Sequence, residues 1–80
     1  RLNCVVPGLM HTPLIEGLAA KYAKGDTQGF IDHRNNQVPM KRMGTGWDTA
    51  HAVLFLVADE SRYVTGTEIV VDGGLIAATR

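Results

Sequence analysis

Ten residues near the start of the chain hold most of its chemical content: Asn3-Cys4-Val5-Val6-Pro7-Gly8-Leu9-Met10-His11-Thr12. An apolar run meets a breaker pair, and polar groups follow at once. In an open α/β sheet, ligands bind beyond the carboxyl ends of the strands, and Pro7-Gly8 stands at such an end. Pro7 sets the chain direction, and Gly8, lacking a side chain, lets the backbone pass close to a flat ring. The next backbone N–H and C=O groups are candidates to hold a carboxamide. Thr12 offers a hydroxyl at a helix start, where anions are favoured. His11 lies inside the same stretch, within reach of a substrate. From these residues alone, an ordinary turn and an ordinary N-cap is the better reading.

Other chemistries find little support. His11, His33 and His51 share no metal-ligand spacing, and Asp32-His33 is too little for a site, so no metal is expected. Cys4 is the one cysteine, which excludes an internal disulfide framework and a cysteine-based zinc site. Inside an apolar run it reads as a small buried hydrophobe. Formal net charge is zero and Lys41-Arg42 is the one adjacent basic pair, so nothing electrostatic argues for nucleic acid or an anionic membrane. The apolar runs fall short of the roughly 18 residues that cross a bilayer, and no signal peptide opens the chain. A soluble, cytoplasmic protein is the expectation. Gly44-Thr45-Gly46-Trp47-Asp48-Thr49 approaches a dinucleotide fingerprint, but the third glycine is missing and no strand precedes it. It reads as a loop leading into a helix.

The elements that must position these groups follow from pattern. Leu2 to Val6 predicts a strand, and its unbroken apolarity fits burial on both faces. Thr12-Pro13 starts a helix over about 13–24, with Leu14, Ile15, Leu18, Ala19 and Tyr22 on one stripe and Gly25 as its stop. A short helix over roughly 27–36 precedes a loop at Pro39. Thr45 and Asp48 suit a capping box for a third helix over 47–58. On it, Ala50, Val53, Leu54 and Val57 form one side, expected to face the sheet. Ala52, Phe55 and Leu56 form the other, expected to meet a second subunit. Helices apolar on most sides need burial on most sides, which an 80-residue chain can hardly supply. Glu68 to Val71 predicts the last strand, ended by Asp72-Gly73-Gly74. Strand, helices, strand is a βαβ unit, and two strands alone make no stable sheet.

Arg42-Met43-Gly44, Val53-Leu54-Phe55-Leu56, Tyr63-Val64-Thr65-Gly66 and Val70-Val71-Asp72-Gly73-Gly74 follow the first stretch in order. Together with Asn3…Pro7-Gly8…Thr12, they make the chain resemble the short-chain dehydrogenase/reductase family of nicotinamide-dependent oxidoreductases. Each motif is weak by itself; all of them in register are specific. The resemblance implies that Pro7 and Gly8 face the nicotinamide. The Leu9-Met10 backbone would hold the carboxamide, with Met10 the stronger anchor, and Thr12 would contact the amide or a cofactor phosphate. Residues from Leu14 to about Val38 would cover the substrate, with His11 in reach of it. Tyr63, Gly66 and Asp72 would be structural. The family's catalytic Tyr-x-x-x-Lys is not present: Tyr22 is followed four residues on by Asp26, and Tyr63 by Thr67. No catalytic residue is expected here.

The expectation is an α/β fold. Residues 1–80 would be the C-terminal segment of one NAD(P)-binding Rossmann-like domain, supplying the last two strands of a doubly wound parallel sheet and the helices between them. With NAD or NADP, the whole enzyme would move a hydride between the cofactor and an alcohol or carbonyl substrate, as a homotetramer or homodimer. The chain by itself would be inactive. The rival reading is a free-standing, non-catalytic module that folds by self-association.

Overall fold

The structure, a computed structural model, describes residues 1–78. Strand β1 (Cys4–Pro7) and strand β2 (Glu68–Val71) pair in parallel, from Cys4 opposite Glu68 to Pro7 opposite Val71. Between them run α1 (Pro13–Tyr22), α2 (Thr27–Gln37), α3 (Gly46–Val57) and a single 3-10 turn, Asp59–Ser61. This is the expected βαβ order, with α3 packed along both strands.

Local chemistry sets the boundaries. Helix α1 stops two residues before its predicted end because Lys24 and Gly25 turn left-handed, at φ 50° and 97°. Glycine takes that conformation freely. Helix α2 starts at Asp26, whose carboxylate accepts the Gly29 N–H at 3.1 Å. Helix α3 carries the predicted capping box. The Thr45 hydroxyl accepts from Asp48 N–H at 3.4 Å, and Asp48 accepts from Thr45 N–H at 2.8 Å. Arg42 adds a bond to the same carboxylate at 3.2 Å. The Thr45 N–H, then the Arg42 guanidinium, hold the Asp48 carboxyl below its ordinary range.

The core lies on the helical side of the molecule. Ile15, Ile31 and Met43 are buried together, with Leu9, Leu18 and Phe30 packed around them; Ala19 and Val38 are also buried. The sheet is much barer. Cys4, Val6 and Pro7 are exposed, so neither the doubly covered strand nor the buried cysteine expected from the apolar run is found. The cause is geometric: among the described residues α3 is the one helix packed on the two strands. Helix α3 itself contains no buried residue. Its half-buried row is Asp48, Thr49, Ala52 and Leu56. The side expected to face the sheet is instead the open one, with Leu54 61% and Val57 71% exposed. Periodicity shows that a stripe exists, but two apolar stripes on one helix leave undetermined which of them meets the strands.

A polar clamp ties β1 to the far end of the chain. Arg1 donates to the carbonyls of Leu56, Ser61 and Val64 at 3.2, 2.7 and 3.0 Å. Ser61 is completely buried, and its hydroxyl lies 2.9 Å from Leu56 O and 3.0 Å from Ala58 O. These contacts satisfy carbonyls that end α3 without helical partners. Asn3 donates to Val64 O and accepts from Thr67 N–H, both at 3.1 Å. Gly66, at φ 71°, donates to Leu2 O at 2.7 Å, which fits its expected structural role. Tyr63, expected to be structural too, is wholly exposed. Its ring meets no cover within the described residues.

At the other end of β2, Asp72 accepts from Gly74 N–H at 2.9 Å and Ile76 N–H at 3.0 Å. The Ile76 N–H, ahead of its neighbours, lowers the Asp72 carboxyl below its ordinary range. A carboxyl depressed in the folded state gives stability that is present above its unfolded pKa, about 3.9, and lost as pH falls through the folded value. The denaturation midpoint of a protein carrying this segment should therefore hold from neutral pH to about pH 5 and fall below about pH 4. Replacing both groups (Asp48→Asn with Asp72→Asn) should flatten that fall, as read by urea denaturation at successive pH values. Gly8→Ala should cost about 1–3 kcal/mol by overpacking, because a Cβ there would sit 2.5 Å from the Asp72 Cβ. The urea midpoint at neutral pH measures it.

Candidate functional site

The residues after β1 leave the sheet along a second, shorter pairing. Met10 forms an isolated parallel bridge with Gly44 in the loop before α3. Gly44 N–H donates to Leu9 O at 3.0 Å, and His11 N–H donates to Gly44 O at 2.8 Å. In such a bridge the central residue turns its own N–H and C=O to the opposite edge. Among the described residues nothing bonds to the Met10 N–H or C=O. A donor and an acceptor thus stand side by side on a fixed backbone, the complement of a primary carboxamide. The adjoining carbonyl, of Leu9, is already taken by Gly44, and the Leu9 side chain packs on the core. Of the two residues read as a carboxamide holder, Met10 alone keeps both groups open.

Thr12 precedes Pro13, the first residue of α1, and its carbonyl accepts the Ile15 and Glu16 N–H groups at 2.9 and 3.3 Å. Its hydroxyl makes no capping bond. The ordinary N-cap reading of that side chain does not hold, and the half-buried hydroxyl is left for another partner. Pro7 closes the register of β1 opposite Val71, and Gly8 N–H donates to Val71 O at 2.9 Å. At Gly8 the Asp72 backbone and Cβ fill the space a side chain would take.

His11 points its Nε2 to Glu16 Oε1 at 2.6 Å. Glu16 was not singled out by sequence reasoning. Its signal was an acid in the first helical turn, a position that the helix dipole alone explains. Gly44 was missed for a different reason. It reads as part of a loop leading to α3, and a one-residue bridge has no periodicity to betray it. His33 and His51 take no part. His51 lies near Trp47, ring centroids 6.4 Å apart, on the exposed side of α3. Among the described residues no cluster of His, Cys, Asp or Glu could hold a metal ion, and no helix is long and apolar enough to cross a membrane.

A cleft of about 330 Å³ lies on the Gly44 side of Met10, between Met40, Arg42, Asp48 and the end of β2 at Val71 and Asp72. The Met10 thioether lines it and accepts from the Thr49 hydroxyl at 3.6 Å. The free backbone edge of Met10 is turned away from Gly44, so this cleft and that edge are different places.

Residues 1–76 match the family model described as Enoyl-(Acyl carrier protein) reductase. Oxidoreductase UcpA of Escherichia coli (strain K12) is 34% identical over 74 residues, 92% of this chain and 28% of that protein. A chain from Burkholderia xenovorans, described as a short-chain dehydrogenase/reductase, is 51% identical with a TM-score of 0.84, covering 100% of this chain and 30% of its own. Ligand-free aldohexose dehydrogenase (AldT) of Thermoplasma acidophilum gives a TM-score of 0.91 at 34% identity, covering 99% of this chain and 32% of its own. The chain spans under a third of the length of each of these proteins. Its α/β fold, with two parallel strands and helices between them, is theirs over that span, and the chain belongs to the short-chain dehydrogenase/reductase family.

Proposed function

We propose that this chain is the C-terminal segment of an NAD(P)-dependent oxidoreductase and supplies one wall of its nicotinamide pocket. The observation that carries the reading is the open N–H and C=O of Met10, fixed by the bridge to Gly44. Met10 would hold the carboxamide by both groups, while Thr12, with its hydroxyl unused by the helix, would bond the amide or a phosphate oxygen. Pro7 and Gly8 would border the ring plane where the strand ends, and Leu9 would brace the turn from the core. His11 would stand toward the substrate. When bound, the nicotinamide gives or accepts the hydride that an alcohol or carbonyl exchanges. This segment's own residues orient it and, with α1 and α2 over the site, screen it from water. The choice between NAD and NADP and the acid/base pair belong to other parts of such an enzyme. Residues 1–80 by themselves should therefore give no change in NAD(P)H absorbance with a panel of alcohols and ketones, and turnover above background would overturn this division of labour.

In the full-length protein, Thr12→Val should weaken cofactor binding by about 1–3 kcal/mol, the cost of a polar partner left unpaired. Titration by cofactor fluorescence reads it, and an unchanged Kd would mean that the hydroxyl meets no ligand.

The open row of α3 supports a homo-oligomer, a tetramer or a dimer. Ala50, Leu54 and Val57 form a continuous exposed strip beside Trp47, and two-fold symmetry would set one strip against its copy. The exposed side being known, the informative variant is Leu54→Glu rather than a change at half-buried Ala52. It should split the assembly, since a buried unpaired carboxylate costs several kcal/mol. Sedimentation velocity decides it: a monomeric parent protein refutes the assembly, and an intact variant oligomer places the interface elsewhere. The rival of a free-standing self-associating module uses the same strip, but leaves the open Met10 edge and Thr12 hydroxyl without a purpose.

A further inference from the structure

We propose that the cleft between the end of α2 and the turn after β2 binds a small organic carboxylate, with Arg34 as its anchor. The cleft measures about 270 Å³ and is lined by Leu9, Arg34, Gln37 and Leu75. Ligand pockets begin at roughly 300 Å³, so its occupant is small. Its walls hold one cation and no acid. Among the described residues Arg34 belongs to neither ion pair, His11 with Glu16 or Arg42 with Asp48. Asp32, the nearest acid in sequence, is held by Gln28 Nε2 at 2.8 Å. Gln37 adds an exposed amide to the rim.

Helix geometry sets the aim of the guanidinium. Arg34 stands in the last turn of α2, where a cation suits the helix dipole. Its head group nevertheless lies over the ring of Phe30, one turn back, with Cζ 5.2 Å from the centroid. A group serving only the end carbonyls would turn the other way. The stack takes up a face of the guanidinium and leaves its N–H edge for an acceptor. Arg34 is half-buried, and a donor drawn partly out of water gains from a partner. Its planar fork pairs with a carboxylate through two parallel bonds. One cation matches one negative charge, and the Gln37 amide can add a neutral donor. Leu9 and Leu75 give the body of the ligand an apolar wall. The larger cleft beside Met10 also holds an arginine, but there Asp48 answers Arg42 at 3.2 Å. The ligand class is therefore a short aliphatic monocarboxylate. This site is independent of the nicotinamide reading, and failure to bind NAD or NADP would leave it standing.

The test uses the full-length protein, with hexanoate as the probe and 1-hexanol as its neutral counterpart. In isothermal titration the parent should bind hexanoate at least about tenfold more tightly than 1-hexanol, the worth of a hydrogen bond to a charged group. In methyl NMR spectra hexanoate should shift the Leu9 and Leu75 signals. Arg34→Met keeps an apolar chain over Phe30 and removes the donors, so it should weaken hexanoate about tenfold and leave the urea midpoint unchanged. Arg34→Lys, the second variant, should recover part of the affinity, because an ammonium keeps the charge but not the fork. Repeating the titration with saturating NAD(P)H sorts the source of the acid. Coupling to the cofactor marks the carboxylate as part of a substrate, independence marks it as a separate ligand, and the cleft is a carboxylate site in both cases. Parent protein that binds hexanoate no better than 1-hexanol, or an unchanged Kd in Arg34→Met, overturns the site. Inorganic phosphate binding more tightly than hexanoate overturns the ligand class.

Discussion

The parallel pairing of β1 with β2 is the constraint on which the rest depends. Four residues on each side align from Cys4 opposite Glu68 to Pro7 opposite Val71, and the register ends where Gly8 passes against Asp72. That contact admits no side chain, so the strand cannot slip by one residue without driving a Cβ into the Asp72 turn. Asp72 in turn fixes its own loop through the Gly74 and Ile76 amides. The direction in which the chain leaves the sheet at Leu9 is thus settled by a glycine just past one strand and an aspartate just past the other. The groups proposed to hold the carboxamide come later along that direction.

From there the site is built mostly of backbone. The Met10 edge is open because the Gly44 bridge occupies the neighbouring amides and leaves Met10's own pair facing outward. The side chain of Met10 is spent elsewhere, against Gly44 and the Thr49 hydroxyl. A holder made of main-chain groups is indifferent to the residue type it belongs to, provided the bridge survives. Its side chain answers to packing.

Much of this was legible before any coordinates. The Thr45–Asp48 capping box, the limits of β2, the start of α1 at Pro13 and the βαβ order follow from cap residues, breakers and apolar period, all of them local. What was not legible was relational. A lone apolar run such as Cys4-Val5-Val6 gives no account of what covers it, and among the described residues Cys4 and Val6 stay exposed. Helix α3 carries two apolar stripes, and only contact with β1 and β2 shows that Ala52 and Leu56 are the ones turned inward. The Thr12 hydroxyl was expected to cap α1 and does not. The neighbourhoods of Glu16 and Gly44 do not name their partners: Glu16 meets the His11 ring five positions back, and Gly44 bridges to Met10 thirty-four positions away. Arg1 is the extreme case: its three carbonyl partners are all more than fifty positions away.

That reach has a bearing on how the molecule comes into being. Within this chain β1 can pair with β2 only once Glu68 to Val71 have left the ribosome. The local contacts of α1 and α2 can form at once, but closing so long a loop is slow and its entropy must be met before the strand bonds return anything. The Met10 edge gains its geometry when the loop at Gly44 pairs with it. Until β2 docks, the bare apolar strand is the part most in need of shelter from other chains.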